Sequence, residues 1–305
     1  MAGYIKSPFN YTGGKYKLLD QIMPLFPERI DNFIDLFSGG CNVGINVDAH
    51  CKKFIDYNDK LIDLLNVFKN YDLNEILIEI EGTIAMYELS NTSTFGYEYY
   101  NSNSSGGLAD YNREKYMNLR KYYNNIKDNY DKFHKNVILY ILIIYGFNNQ
   151  IRFNKKGEFN IPVGKRDFNN RIKNNLIQFI NKIKSSNCEF INLNFREIEP
   201  DYYKNSFIYA DPPYLITNAS YNEQGGWDED CEYELYDQLD ILSSRGVKFA
   251  LSNVIENKGA KNEILVKWIY SRNYNIHYID KNYNNSNYQI KDRSKKTIEV
   301  LITNY

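Results

Sequence analysis

Residues 33–40, FIDLFSGG, form an apolar run that stops at a glycine pair. A run of this length reads as a buried strand ending in a tight turn. The stretch that follows, NVGINVDAHC (42–51), is expected to be helical, with Val43, Ile45 and Val47 among small residues. KKFIDYND (52–59) is a second short strand ending in acids, and KLIDLLNVFKNYDL (60–73) has the apolar stripe of an amphipathic helix. Strand, glycine turn, helix, strand and acid within about 25 residues make the opening of a Rossmann-like α/β unit. That opening commits the chain to a sheet whose ligands meet the carboxyl ends of its strands.

The alternation stops and later resumes. Residues 90–112, SNTSTFGYEYYNSNSSGGLADYN, are polar and rich in Gly and Ser, a long loop by composition. VILYILIIYGF (137–147) reads as a buried helix, too short for a membrane span of about 20 residues. FNNQIRFNKKGEFNIPVGK (147–165) alternates about a turn at Lys156-Gly157, the pattern of a β-hairpin. NRIKNNLIQFINKIK (170–184) is amphipathic and helical. After residue 186 five strand-like runs follow: CEFINLNF, SFIYADPPY, VKFALSN, NYNIHYID and TIEVLITNY. Helical YELYDQLDILSSRG and AKNEILVKWIYSR lie between them. The expected architecture is one α/β domain built from residues 1–69 and 185–305, with a mainly helical insertion, 70–184, that carries the hairpin.

Composition excludes several classes. The four cysteines, Cys41, Cys51, Cys188 and Cys231, form no CxxC pair, and His50, His134 and His277 stand apart, so no metal site is expected. The start MAGYIKSPFN lacks an apolar signal core, so the expected location is cytoplasmic. Lys plus Arg number 37 against 38 Asp plus Glu, so the whole chain is no general polyanion binder. Residues 147–184, however, hold nine Lys/Arg and two acids, while residues 223–237 hold seven acids and no base. A polarised chain can turn its basic segment toward phosphates. The 29 tyrosines fit either an A/T-rich coding bias or platforms for stacking nucleic-acid bases.

The sharpest motif is Asp211-Pro212-Pro213-Tyr214, at the end of the apolar strand SFIYA. Two prolines fix the backbone and donate no hydrogen bonds. They hold an acid and an aromatic ring in a rigid corner at a strand's carboxyl end. TGGK (12–15) lacks the GxxxxGK[ST] spacing of a P-loop, so it does not mark an ATPase. No Pro-Cys pair exists for the nucleophilic cysteine of cytosine-C5 methylation, and Cys41 reads as a small buried hydrophobe.

Taken in order, NYTGGK (10–15), DLFSGGCNVG (35–44), FIDYND (54–59), FNNQIRFNKKGEFNIPVGK (147–165) and YADPPY (209–214) resemble the Dam-like, D12 class (alpha group) adenine-specific DNA methyltransferases. LSN (251–253) and TIEVLITNY also fit, and the resemblance is weakest over 70–135. It implies methyl transfer from S-adenosylmethionine, leaving S-adenosylhomocysteine, to N6 of an adenine flipped out of a short duplex sequence, without a metal. It implies that Asp211, Pro212, Pro213 and Tyr214 are catalytic. Tyr11, Lys15, Asp35, Phe37, Ser38, Gly39, Gly40, Asp56 and Asp211 would hold the methyl donor, with Lys15 on its carboxylate and Asp56 on its ribose. Asn148, Arg152, Asn154, Lys155, Lys165, Arg166 and Arg171 would contact DNA, with Arg152 reading guanine. Leu36 stands where the family usually has proline, and Asn148-Asn149 where it commonly has Asn-Gly. The expected partners are double-stranded DNA, met as a monomer, and a cognate restriction endonuclease, in a bacterial or phage-encoded enzyme. The competing readings are an RNA-adenine or protein-glutamine methyltransferase and a catalytically dead DNA-binding protein. Asp211, where glutamine methylation usually has Asn, disfavours the glutamine reading, and the intact Asp211, Tyr214 and Lys15 disfavour the dead one.

Overall fold

The computed structural model describes residues 3–11, 13–127, 131–217, 226–279 and 297–305. Residue 12 of NYTGGK, residues 223–225 of the acidic stretch and Asp280 of NYNIHYID lie outside the described residues. The strands are β1 (Asn32–Leu36), β2 (Cys51–Asp56), β3 (Cys188–Asn192), β4 (Ser206–Ala210), β5 (Lys248–Asn257), β6 (Ala260–Lys261), β7 (Asn275–Ile279) and β8 (Thr297–Thr303). The α-helices are α1 (Leu19–Ile22), α2 (Asp59–Asn70), α3 (Leu73–Met86), α4 (Thr92–Phe95), α5 (Ala109–Asn125), α6 (Lys132–Tyr145), α7 (Asn170–Lys184), α8 (Glu229–Ser244) and α9 (Glu263–Arg272). The chain divides into two compact units, residues 15–57 with 186–305 and residues 1–14 with 58–185.

The first unit is a mixed α/β fold around a mostly parallel sheet. Its strand order is β3-β2-β1-β4-β5-β8-β7, with β6 paired to the end of β5. β3, β2, β1, β4 and β5 pair in parallel, and β8 runs antiparallel to both of its neighbours. The chain moves outward from β1 to β3, then returns to lay β4 on the other side of β1. Strand order thus reverses between β1 and β4, which opens a crevice at their carboxyl ends. Residue alternation assigns each strand two packed faces. Ile34, Leu36, Ile208, Ala210, Phe249 and Leu251 meet Leu235, Leu239, Trp268 and Ile269 of α8 and α9 in one core cluster. On alternate positions, Phe33, Phe207 and Tyr209 pack around the ring of Phe26.

One element departs from the sequence reading. The expected helix over 42–51 is only a 3-10 turn, Gly44–Asn46. Its site explains why. A Cβ on Gly44 would lie 2.5 Å from Phe54 and 2.6 Å from the Asp35 carboxylate. The Gly44 N–H donates to Asp35 Oδ2 at 3.1 Å, so a buried side chain fixes the backbone in place of a helical carbonyl. Tertiary contact overrides local propensity here.

The second unit is helical. Val137–Tyr145 of α6 are all buried, and α2, α3 and α5 pack against that helix. A helix apolar on every side must sit at the centre of its bundle. Its tyrosines end on backbone carbonyls: Tyr145 Oη donates to Ser90 O (2.6 Å) and Tyr140 Oη to Pro8 O (3.4 Å). The sequence reading grouped residues 1–69 with the sheet, whereas residues 1–14 and α2 group with the helices. The apolar face of α2, from Leu61 to Phe68, is buried against α6 and α7, which outweighs its closeness in sequence to β2. The polar loop 90–112 is more ordered than its composition suggests. It holds α4, whose Thr92 donates through N–H (2.6 Å) and Oγ1 (2.9 Å) to the buried Asp167 carboxylate. The hairpin is brief: Phe153 bridges Phe159, Gly146 bridges Val163, and Gly157 turns with φ +76°.

Candidate active site

The end of β1 and the end of β4 are neighbours in register, Leu36 beside Ala210. The next residue on each strand, Phe37 and Asp211, therefore enters the crevice together. The β1 turn is tightly wound: Phe37, Gly39 and Cys41 all have positive φ (67°, 47°, 59°). For Phe37 and Cys41 this is a costly conformation, which the surroundings must hold in place. Two bonds do so. Ser38 N–H donates to Ile55 O at 2.9 Å, and Gly39 N–H donates to Asp56 Oδ2 at 2.9 Å. One oxygen of Asp56 is thereby spent on the turn. The Cys41 thiol is fully buried, and burial pushes its pKa well up, which suits a packed side chain and not a nucleophile.

The corner after β4 is an ionic cluster. Lys15 Nζ lies 2.7 Å from both Asp211 oxygens and 3.6 Å from Glu299 Oε1. Tyr214 Oη donates to Asp211 Oδ1 at 2.9 Å and to Glu299 Oε1 at 3.4 Å. The Lys15 ammonium also sits 5.0 Å from the centre of the Tyr214 ring. Burial raises the Asp211 pKa above the usual carboxylate range; Lys15 pulls it back, and the Glu299 charge pushes it up. Burial and the neighbouring carboxylates push the Tyr214 phenol well up, so it stays protonated and donates. The sequence analysis set Lys15 on the donor's carboxylate, whereas in this structure its ammonium pairs with protein acids.

Beside this corner lies a cavity lined by Leu36, Phe37, Ile55, Asp56, Tyr57, Leu193, Asn194, Phe195, Pro213 and Trp227, among others. Phe37, Phe195 and Trp227 touch one another, with ring centres 5.4–5.7 Å apart. The cavity is therefore apolar and aromatic on its flanks, with the Asp56 carboxylate in its wall. Among the predicted donor-binding residues, Phe37 and Asp56 line it. Asp35 does not: it is buried, with Oδ2 on the Gly44 N–H. Ser38, Gly39 and Gly40 build the turn. Tyr11 belongs to the helical unit, where its carbonyl accepts the Gly14 N–H at 3.1 Å.

Several site residues escaped the sequence analysis. Leu193, Asn194 and Phe195 follow β3 and would have been found by applying the strand-end rule to a third strand. Glu299 carried a plainer signal, an acid within the apolar run TIEVLITNY that is only 2% exposed. Trp227 had none, since a tryptophan in an acidic stretch says nothing about what it covers.

The predicted DNA-contacting residues lie in the helical unit. Arg152 donates from Nε to Asn160 Oδ1 at 2.8 Å, which fixes its guanidinium across the hairpin. Asn154 spends its side chain on the turn, accepting from Lys156 N–H (2.9 Å) and Glu158 N–H (3.0 Å). Asn148 adopts a left-handed conformation (φ 55°), as does Asn149, whose amide holds Ile144 O at 2.7 Å. Lys155 is exposed at the tip. Arg166 and Arg171 line a polar recess with Lys6, Asn10, Asn149, Asn169 and Asn175, and none of its described lining residues is a carboxylate. Lys165 is exposed just before Arg166. Among the described residues no group of three His, Cys, Asp or Glu side chains is placed to hold a metal ion, and no helix is long and apolar enough to cross a membrane.

Comparison with known proteins bears on this arrangement. The chain is 41% identical to the modification methylase StsI of Streptococcus sanguinis, over 99% of this chain and 43% of that protein. It is 41% identical to the type II methyltransferase M.FokI of Planomicrobium okeanokoites, again over 99% of this chain and 43% of that protein. The chain thus spans less than half the length of these two relatives. A shorter relative, the type II methyltransferase M1.LlaDCHI of Lactococcus lactis subsp. cremoris, is 28% identical over 98% of this chain and 95% of its own length. Residues 11–285 match the family model described as D12 class N6 adenine-specific DNA methyltransferase. That span takes in both strand-end turns, the hairpin and the Asp-Pro-Pro-Tyr corner, and the chain belongs to this family.

Proposed function

We propose that the chain transfers a methyl group from S-adenosylmethionine to N6 of an adenine flipped out of a short duplex DNA sequence. The observation that carries this reading is the placement of Asp211-Pro212-Pro213-Tyr214 at the strand-order reversal, beside a cavity with Asp56 in its wall. The cavity suits an adenosyl group. Apolar and aromatic side chains flank a space for a purine, and the Asp56 carboxylate in its wall can accept from a ribose hydroxyl. The bound donor supplies an electrophilic methyl on a positively charged sulfur and leaves as S-adenosylhomocysteine.

The rest falls to residues of the chain. An adenine amine is a poor nucleophile because its lone pair is drawn into the ring. Asp211 and the Pro212 carbonyl, each accepting one N6–H, favour a pyramidal nitrogen whose lone pair faces the methyl. Two prolines keep both acceptors still, so little reorganisation is needed. The amine gains a bond to carbon and must then lose one proton, for which Asp211 is the nearest carboxylate. Tyr214 would face the flipped base, repaying part of the few kcal/mol that unstacking costs.

In this reading the helical unit supplies sequence recognition. Arg152, held by Asn160, reads a guanine edge, flanked by Asn148, Asn154 and Lys155. Lys165, Arg166 and Arg171 meet backbone phosphates, and the acid-free recess around Arg166 and Arg171 supports that role. All three relatives above are named modification methylase or type II methyltransferase, which favours a restriction-modification setting with a cognate endonuclease. The enzyme is expected to be cytoplasmic and to need no metal. The test is to express the chain in a methylation-deficient host and sequence the plasmid for modified bases. N6-methyladenine at one recurring short sequence is the expected result; no adenine modification, or modification only of RNA, would overturn the proposal.

A further inference from the structure

Glu299 is the feature of the corner that the reaction above leaves unexplained. It sits mid-strand in β8, between Val254 of β5 and Ile279 of β7, where sheet formation needs no carboxylate. Lys15 and Glu299 are each only 2% exposed, so both are held out of water. The Lys15 ammonium and the Tyr214 phenol therefore each reach both carboxylates, Asp211 and Glu299.

The distances show an uneven split. Lys15 Nζ is 2.7 Å from each Asp211 oxygen but 3.6 Å from Glu299. Held this way, Asp211 has both oxygens on an ammonium and one of them also on Tyr214. A neutral amine is a much weaker donor than an ammonium and cannot displace it unaided. For Asp211 to accept an N6–H, the ammonium must give up at least one oxygen. A buried ammonium leaves one carboxylate only if another receives it.

We propose that Glu299 is the second seat of the Lys15 ammonium: when the adenine amine enters, Lys15 shifts toward Glu299 and frees an Asp211 oxygen to accept the N6–H. This rests on the reading of the corner as the adenine site. The shift needed is small, about 1 Å to bring 3.6 Å to charge-assisted bonding distance. Tyr214 Oη already points at both acids and can follow. Among the described residues, Tyr209, bonded to Ser252, and the buried Asp35 are further ionisable groups whose charge is felt with that of Asp211. Glu299 is thus a positioning residue, acting through Lys15 and Tyr214 and not on substrate.

The direct test is a structure of the wild-type protein with S-adenosylhomocysteine and its target duplex. The expected result is Lys15 Nζ within about 3 Å of Glu299 and away from at least one Asp211 oxygen. Lys15 still astride both Asp211 oxygens with the adenine seated would overturn the proposal. Glu299→Gln gives a second readout. Single-turnover methyl transfer should fall about 10- to 100-fold, with the S-adenosylmethionine dissociation constant within about twofold of wild type. An unchanged rate, or a loss of rate matched by an equal loss of donor binding, would also overturn it. Failure of the wild type itself to methylate DNA would instead remove the underlying functional reading.

Discussion

The two units handle their polar side chains in opposite ways. In the sheet unit, Asp35, Asp56, Lys15 and Glu299 are buried, and each is fixed by a named partner: a glycine N–H or another charge. In the helical unit, Lys155, Lys165, Arg166 and Arg171 are exposed, and the side chains of Asn149 and Asn154 beside them shape turns. The contrast matches the two tasks proposed above. Stabilising a developing charge needs dipoles already in place and shielded from water. Holding a phosphate backbone needs long cations that stay hydrated until counterions are released. Arg152 is the intermediate case, a cation in the helical unit clamped by Asn160 as if for a geometric contact.

Substitutions can break this contrast at several points. The largest effect is expected at Asp211→Ala. Methyl transfer should fall by about a thousandfold or more, with donor affinity nearly kept, as measured by radiolabel transfer and equilibrium dialysis. In the wild type, burial holds the Asp211 pKa above the ordinary carboxylate range, and the ionised form is the one that accepts. The transfer rate should therefore rise with pH through a value higher than that of a free aspartate; a rate limb at the ordinary value would show that the cluster does not shift it.

Next comes Asp56→Ala, which removes a charged acceptor worth about 1.5–3 kcal/mol. Donor binding by calorimetry should weaken roughly 10- to 100-fold, with DNA site choice unchanged. Arg152→Ala sharpens the other half of the comparison. It should relax one base position by about 1–3 kcal/mol, read as extra sites in sequenced plasmid, and leave donor binding alone. If it slowed transfer at the original site without loosening specificity, the hairpin would not be the reader. The smallest effect is expected at Arg171→Ala, which should lower the slope of log affinity against log salt by about one, equally for all sequences.

How legible these regions were differs in the same way. All five strand-like runs after residue 186 form strands, and helix Asn170–Lys184 begins and ends where its apolar stripe does. Buried strands and amphipathic helices write their burial into periodicity. The corner was legible because prolines at a strand end are rare and position their neighbours. What stayed hidden depends on contacts distant in sequence. Residues 42–51 stop at a 3-10 turn because Asp35 and Phe54 crowd Gly44. Helix α2 groups with the helices because its apolar face packs on α6 and α7. Glu299 is 88 residues from Asp211, and no local pattern joins an acid in a C-terminal strand to the corner it meets. In the helical unit, sequence offered charge and a turn, and the roles of Arg152 and its neighbours came from family resemblance alone.

In the proposed reaction the Asp211 corner acts on an adenine amine. The most direct measurement is transfer of labelled methyl from S-adenosylmethionine by the wild type and by Asp211→Ala, with duplex DNA, RNA and protein offered separately and the products hydrolysed to identify the modified base. Label in N6-methyladenine from duplex DNA alone, absent with the variant, is the predicted result. Label in another base or in protein, or undiminished labelling by Asp211→Ala, would contradict it.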